Sequence, residues 1–244
     1  MKQPTRIKEE RNHIRRMFDA IAFRYDFVNR VLSFRRDIVW RKAMMAALPV
    51  RKNLAVLDLA CGTCDVLLAL QQPGSPVAHV VGADVSAAML RYGQEKITHA
   101  QRNNSSMLIQ ADAATLCFQE ATFDVVTVAF GVRNFSELET GLQEIFRTLR
   151  PDGKVIILEF SLPGSPLLRA VYLFYFRHML PRIAGLLSRQ PDAYQYLNRS
   201  VEAFPYGQTF CKLLGAAGFN AVQARPLTFG IATLYVGCKS SDTL

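Results

Sequence analysis

Short apolar segments alternate with amphipathic ones along most of this chain. Residues 54–59, 77–83, 107–110, 123–130 and 154–160 are mostly apolar runs of four to eight residues, which suits strands buried on both faces. Helix-compatible residues fill 65–70, the stretch from an N-cap at Ser86 to about His99, and 136–149. Farther on, 207–217 reads as a helix ended by Gly215 to Gly218, and two more strands are expected at 219–224 and 231–238. Pro151-Asp152-Gly153 predicts a turn by composition. Two regions break the alternation. Residues 6–22 predict a basic helix with Ile14, Phe18 and Ile21 on one side, leading into an aromatic-rich helical segment before the first strand. Residues 167–187 form an aromatic and aliphatic run punctuated by Arg177, His178 and Arg182, which Pro181 breaks or kinks. The class is α/β.

The candidate chemistry sits at the ends of three successive strands. Asp58 tips the first, and Gly62 lets the following loop bring its backbone close to a ligand at the helix start. A carboxylate there suits a cationic nucleoside better than a pyrophosphate. Asp84 ends the second strand, 22 residues beyond Gly62, where an acid can accept both ribose hydroxyls. Asp112 and Ala113 end the third and are placed to meet an adenine amino group and ring. None of the three loops is basic.

These strand ends resemble the cofactor site of class I S-adenosylmethionine-dependent methyltransferases. Further runs are similar to the UbiE/MenG family, which C-methylates the quinol ring in menaquinone and ubiquinone biosynthesis. They are Tyr25-Asp26 with Asn29, Leu32-Ser33 and Trp40; Phe130-Gly131-Val132-Arg133-Asn134-Phe135; Arg147 through Glu159-Phe160-Ser161; Tyr194, Tyr196 and Leu197 with Ser200; and Phe229-Gly230-Ile231-Ala232. The resemblance covers about residues 11–239. It implies one Rossmann-like domain with a seven-stranded, mostly parallel sheet whose last strand is antiparallel. Its parts would be a helical lid (1–50), a cofactor-binding core (51–161), a helical substrate insertion (162–206) and a closing helix and strands (207–239). It implies S-adenosylmethionine as methyl donor, bound by Asp58, Gly62, Thr63, Asp84, Asp112, Ala113 and Ala129, and a reaction that requires no metal. For substrate handling it points to Arg133, Asn134, Tyr25 and Asp26, in that order.

Five positions depart from the family pattern, Asp152 before the turn Gly153 among them. Cys64 stands where the loop carries its third-position Gly, so a Cβ there is expected to narrow the cofactor pocket or to require a negative φ. Ala129 replaces a Ser that contacts the cofactor in some members, Asp37 replaces a His, and Arg150 replaces a Lys. Cys61 and Cys64 form a Cys-x-x-Cys, but no second Cys or His pair stands at zinc spacing, so incidental thiols are expected. Glu159 is either a base or a buried, paired carboxylate, and His178 reads as structural or surface.

Composition narrows the setting. The chain has 244 residues, 50% of them apolar, enough for one α/β domain. Its five scattered cysteines and charged first 16 residues point to a reducing cytoplasm and no secretory signal. No uncharged apolar run reaches transmembrane length. A net charge of +9 suits nucleic acid or an anionic membrane surface. An RNA methyltransferase is the competing enzyme, disfavoured because the basic residues are dispersed and no RNA-binding module is appended. A non-catalytic S-adenosylmethionine-binding regulator also stays open. The expected partner is a prenylated naphthoquinol, with a benzoquinol open, at the inner membrane face through peripheral contact with anionic lipid. Nucleic acid is not expected, and a homodimer is left open.

Overall fold

The computed structural model describes residues 4–102, 106–179, 182 and 191–241. Seven strands make one sheet: β1 (Leu54–Leu59), β2 (Val77–Asp84), β3 (Ser106–Gln110), β4 (Phe123–Ala129), β5 (Leu149–Phe160), β6 (Asn220–Leu227) and β7 (Ala232–Cys238). Their order is β3-β2-β1-β4-β5-β7-β6. The first five run parallel, and β7 lies antiparallel between β5 and β6, as expected. The five parallel strands are apolar because helices cover both faces, and β4 is buried along nearly its whole length. The chain reverses its direction of travel across the sheet between β1 and β4. A crevice therefore opens beyond the carboxyl ends of those two strands, the place where open α/β sheets bind ligands.

Helices α4 (Asp65–Leu70), α5 (Ala87–His99), α6 (Leu138–Thr148) and α9 (Gln208–Ala216) flank the sheet. One core cluster packs α6 and α9 on β4, β5 and β7 through Leu142, Ile145, Phe210 and Tyr235. A second, on the other face, joins α3 (Arg36–Met45) and α4 to β1, β2 and β5 through Trp40, Met44, Leu67 and Ile156. A third cluster stands beyond the strand ends. It joins α1 (Pro4–Ile21), α2 (Tyr25–Leu32), α7 (Pro166–Phe174) and α8 (Pro191–Ala203) to the start of α5 through Ile21, Val28, Met89, Tyr172, Phe176 and Val201. Asp19 ties α1 down, accepting from Ser86 Oγ at 2.6 Å and Ala88 N at 3.2 Å.

Pro151-Asp152-Gly153 is part of β5, which already starts at Leu149. Asp152 takes φ 60°, and the folded segment is anchored because Asp152 N donates to Lys239 O and Lys239 N to Gly153 O. Leu149 and Lys154 stand opposite Phe123 and Val125, so five residues of β5 span the length of two in β4, and the expected turn is present as a wide bulge folded into a paired strand. After α7 the chain winds on as a wider π turn, Tyr175–Met179, while Pro181 and residues 183–187 lie outside the described residues.

Candidate active site

The loop from β1 to α4 is wound so tightly that Ala60, Gly62 and Cys64 all take the left-handed region, with φ of 54°, 54° and 67°. Two bonds stitch it to the end of β2: Cys61 N donates to Ala83 O, and Gly62 N to Asp84 Oδ2 at 2.8 Å. Asp84 Oδ1 accepts from Ser86 N at 2.8 Å. Burial raises the Asp84 pKa, and these backbone donors oppose the rise. On the next strand end, Asp112 Oδ1 accepts from Ala114 N. The three strand ends enclose a cleft of about 720 Å³ lined by Asp84, Asp112, Ala113, Gly62, Asn134 and Ala129. A Cβ on Gly62 would meet no protein atom within 4 Å, only this open space.

Cys64 corrects an expectation. It keeps the positive φ of the glycine it replaces, and its side chain is fully buried away from the cleft. Its partner is Gly93 on α5, where an added Cβ would lie 2.4 Å from Cys64 Sγ. The missing side chain at 93 supplies the room that the extra one at 64 fills. The Cys61 and Cys64 sulfurs stand 4.0 Å apart as free thiols.

Asp58 is almost wholly buried at the tip of β1. Its Oδ1 accepts from Thr127 Oγ1 at 2.8 Å, and its Oδ2 has no partner. Burial, with a smaller push from Asp84 and against the Thr127 bond, raises its pKa to about 7. Asp58 and Thr63 face a second cavity, of about 1900 Å³ including its mouth. Phe18, Tyr25, Ala60, Gly62, Ala129 and Phe130 line both spaces and form the wall where they meet.

Aromatic side chains, among them Trp40, Phe130, Phe160, Tyr172 and Phe176, wall much of the larger cavity, and the charged Asp26, Asp37, Asp65 and Arg41 line it as well. Trp40 packs on both Phe130 and Phe160, and its Nε1 donates to Thr228 Oγ1 at 2.8 Å. Arg133 reaches this space from the turn after β4. Its Nη1 donates to Glu159 Oε1 at 2.7 Å and to Phe130 O, and its guanidinium lies 5.4 Å from the Phe160 ring centre. Glu159 is fully buried and also accepts from the Arg133 and Phe160 amides, so it is the paired carboxylate of the two alternatives. Arg133 Nε is buried with no partner. Burial raises the Tyr25 pKa, opposed by the Arg133 charge, so Tyr25 is a neutral phenol at pH 7.

The four residues expected to handle substrate are thus divided. Arg133, Tyr25 and Asp26 line the larger cavity, whereas Asn134 lines the smaller cleft and accepts from Tyr196 OH at 3.2 Å. Asp26 accepts from Lys96 Nζ at 2.7 Å and from Thr63 Oγ1. It belongs to a chain of charges that sequence reasoning missed. Arg30 and Arg41 bridge Asp37 to Asp65, and Lys96 bridges Asp65 to Asp26. Burial works against the Asp65 charge, but Arg41 and Lys96 outweigh it and hold its pKa below the ordinary value. This network pins α2 and α3 to α4 and α5. No local spacing announces it, because Asp26 and Lys96 stand 70 residues apart. The side chain of Tyr194 lies outside the described residues, and His178 is exposed beside the Phe174 ring.

Sequence and fold comparisons agree with this geometry. The profile of the ubiE/COQ5 methyltransferase family matches residues 4–239. The ubiquinone/menaquinone biosynthesis C-methyltransferase UbiE of Geobacter sulfurreducens is 42% identical over 234 residues, covering 96% of this chain and 91% of the relative. The demethylmenaquinone methyltransferase of Thermus thermophilus is 42% identical over 221 residues, covering 91% and 99%. Among solved structures, a SAM-dependent methyltransferase from Thermotoga maritima superposes with a TM-score of 0.67 at 15% identity, covering 93% of this chain and 100% of that one. One from Aquifex aeolicus gives 0.58 at 16%, covering 82% and 89%. These two likenesses speak for the fold alone. The family profile and the two close relatives span nearly the whole chain, and the chain belongs to the ubiE/COQ5 methyltransferase family.

Proposed function

We propose that the protein transfers the methyl group of S-adenosylmethionine to a ring carbon of a prenylated quinol, with demethylmenaquinol as the main substrate and a benzoquinol precursor as a second. The observation that carries this reading is the wall shared by the two cavities. A cleft at the ends of three strands, with Asp84 and Asp112 on its wall, opens past Gly62 and Ala129 into a far larger, aromatic-rich space that holds the buried Arg133 guanidinium. RNA would call for an open, basic groove instead.

The residues present fit a cationic nucleoside. Asp84 and Asp112 suit the ribose and adenine in the smaller cleft, with Ala113 beside the ring. Asp58 offers a buried carboxylate oxygen that no protein group satisfies, and such an atom favours a positively charged partner. Bound there, S-adenosylmethionine supplies an electrophilic methyl carbon on a sulfonium. The quinol first loses a phenolic proton. Its ring carbon then forms the new C–C bond as the C–S bond breaks, and the electron pair leaves on sulfur. Loss of the proton from that ring carbon restores aromaticity.

The chain's own groups align the ring and hold the charge that develops on its oxygen. Arg133 is fixed by Glu159 and keeps Nε free to donate to that oxygen. Tyr25, a neutral phenol, can donate a second hydrogen bond. The aromatic walls take the prenyl tail.

The test is methyl transfer from labelled S-adenosylmethionine to chemically reduced demethylmenaquinol, beside a benzoquinol precursor and bulk RNA. Label on the naphthoquinol carbon is the expected result. Label in RNA alone, or none in either quinol, would refute the reading.

A further inference from the structure

The mouth of the larger cavity is rimmed by apolar side chains in solvent. Phe34 is 74% exposed and Phe229 is 79% exposed, and both line the cavity. Beside them α7 turns one face outward, with Leu167 at 74%, Val171 at 62% and Phe174 at 61%. The spacing of four and three residues puts all three on one side of the helix. The parts are contiguous. The Phe34 ring packs on Tyr175, next to Phe174, at 5.9 Å, and Tyr175 OH donates to Leu32 O. At the other end, Gly230, next to Phe229, lies against Pro163 and Gly164 at the start of α7. Large apolar residues scattered singly over a surface need no partner, but a continuous rim around a cavity mouth marks an interaction site.

The charge of the rim selects the partner. Its three segments, residues 27–36, 161–190 and 203–241, contain no Asp or Glu at all, although the whole chain has 20 acids. They do contain Arg35 and Arg36 next to Phe34, Arg182 after α7, and Arg225 before Phe229, all exposed. The acids of α2 and α3 are Asp26 and Asp37; Asp37 is buried, and both are paired with cations of the network, Arg30, Arg41 and Lys96. An apolar ring with cations around it, its neighbouring acid Glu202 neutralised by Arg177, suits the interface of a negatively charged bilayer, where side chains enter the acyl boundary and arginines meet headgroups.

We propose that this rim is a membrane-docking face: Phe34, Phe229 and the Leu167–Val171–Phe174 side of α7 insert into an anionic lipid surface and seat the cavity mouth on it. A polyprenyl substrate then passes from bilayer to cavity without crossing water. This deepens the proposed function and rests on it for the identity of the cargo. The docking itself does not require that cargo.

The experiment is co-sedimentation of the full chain with vesicles of phosphatidylcholine, alone and mixed with phosphatidylglycerol, with no quinol present. The wild type should bind the mixed vesicles and weaken as salt is raised. The double variant Val171→Glu/Phe174→Glu touches exposed positions outside the cavity lining and should bind roughly tenfold more weakly or worse. Val50→Glu, at a fully exposed apolar site before the amino end of β1, away from the strand ends that carry the cavity, should bind as the wild type does. Undiminished binding by the double variant would overturn the proposal, as would a wild type that ignores both kinds of vesicle. So would a double variant whose only change is a lower sedimentation mass, because the face would then join two copies of the chain. Methylation of a short-chain, water-soluble quinol separates the two readings. The double variant should keep that turnover. A wild type that docks yet methylates no quinol counts against the substrate and leaves the docking face standing.

Discussion

The smaller cleft and the larger cavity share one wall, yet they are built from different material. The cleft is made at the ends of β1, β2 and β3, where the sheet fixes the backbone. Its two carboxylates are positioned by main-chain donors of the strand-end loops: Ser86 N and Gly62 N on Asp84, and Ala114 N on Asp112. The cavity is made by helices outside the sheet and by side chains that meet from distant parts of the chain. Trp40 bonds Thr228 across 188 residues, Tyr175 bonds Leu32 across 143, and Arg30 meets Asp65 across 35. A site of the first kind suits one invariant ligand. A site of the second kind can be reshaped by changing helices without disturbing the sheet, which suits the half that chooses the methyl acceptor.

The contrast makes a strong prediction at Arg133. Arg133→Ala should lower kcat roughly a thousandfold, the scale of losing a charge-stabilising donor, while S-adenosylmethionine affinity stays within about threefold. The change also strands Glu159 as a buried, unpaired carboxylate, which destabilises the fold by about 3–5 kcal/mol. The double variant Arg133→Ala/Glu159→Gln removes that penalty. If its turnover recovers toward wild type, Arg133 serves packing alone and the division between the halves fails there.

On the cleft side, Asp84→Ala should do the reverse. It removes the proposed ribose acceptor and orphans the Gly62 and Ser86 amides, so calorimetry should find S-adenosylmethionine binding about 100-fold weaker, or ~2.7 kcal/mol. Turnover at saturating cofactor should change far less. A kcat loss as large as the affinity loss would show that the two halves are not separable.

The pH dependence of binding gives a smaller effect with a defined sign. Burial lifts the Asp58 pKa to about 7, and a cationic ligand needs the ionised form. Below about pH 7 a proton must leave on binding, so affinity falls about tenfold per pH unit, and above it the profile is flat. Without ligand the same shift acts on folding with the opposite sense: Asp58 favours the folded state in acid, and that contribution is lost as pH rises to about 7. Asp58→Asn should bind more weakly and flatten the binding profile. A wild-type profile already flat between pH 5 and about 7 would separate Asp58 from the cation.

What could be read from the sequence divides along the same line. The strand ends were legible because a strand, a turn and a helix start span only a few residues, and Asp58, Asp84 and Asp112 each follow an apolar run. The seven-stranded, mostly parallel sheet and its antiparallel last strand followed from the family resemblance, whereas the strand order did not. The larger cavity was only partly legible. An aromatic run at 167–187 signalled a greasy wall, but nothing local showed that Tyr172 and Phe176 would face Trp40 and Phe160. The Arg30, Arg41 and Lys96 network was invisible for the same reason. Composition gave the turn at Pro151-Asp152-Gly153 but not that β5 already starts at Leu149, because the pairing of Asp152 and Gly153 with Lys239 is a contact between distant residues.

The cofactor loop itself offers the finest test, because its shape depends on what stands behind it. Cys64 holds a left-handed φ that disfavours any side chain, and it does so by filling the gap over Gly93. Gly93→Ala would place a methyl 2.4 Å from Cys64 Sγ, and overpacking of that kind destabilises by about 1–3 kcal/mol. Cys64→Gly relieves the backbone but empties a buried site, so alone it should move stability little. In the Cys64→Gly background, Gly93→Ala loses its clash; the nearest remaining neighbour is the Thr63 carbonyl carbon at 3.4 Å. There the substitution should be neutral or stabilising, since Ala exceeds Gly in a helix by about 0.5–1 kcal/mol. A double-mutant cycle by denaturant unfolding should therefore show a coupling of at least about 1 kcal/mol. S-adenosylmethionine affinity should follow the same ordering with smaller amplitude. Additive effects would mean that the loop takes its shape from the strand ends alone, and that Cys64 and Gly93 are neighbours without consequence.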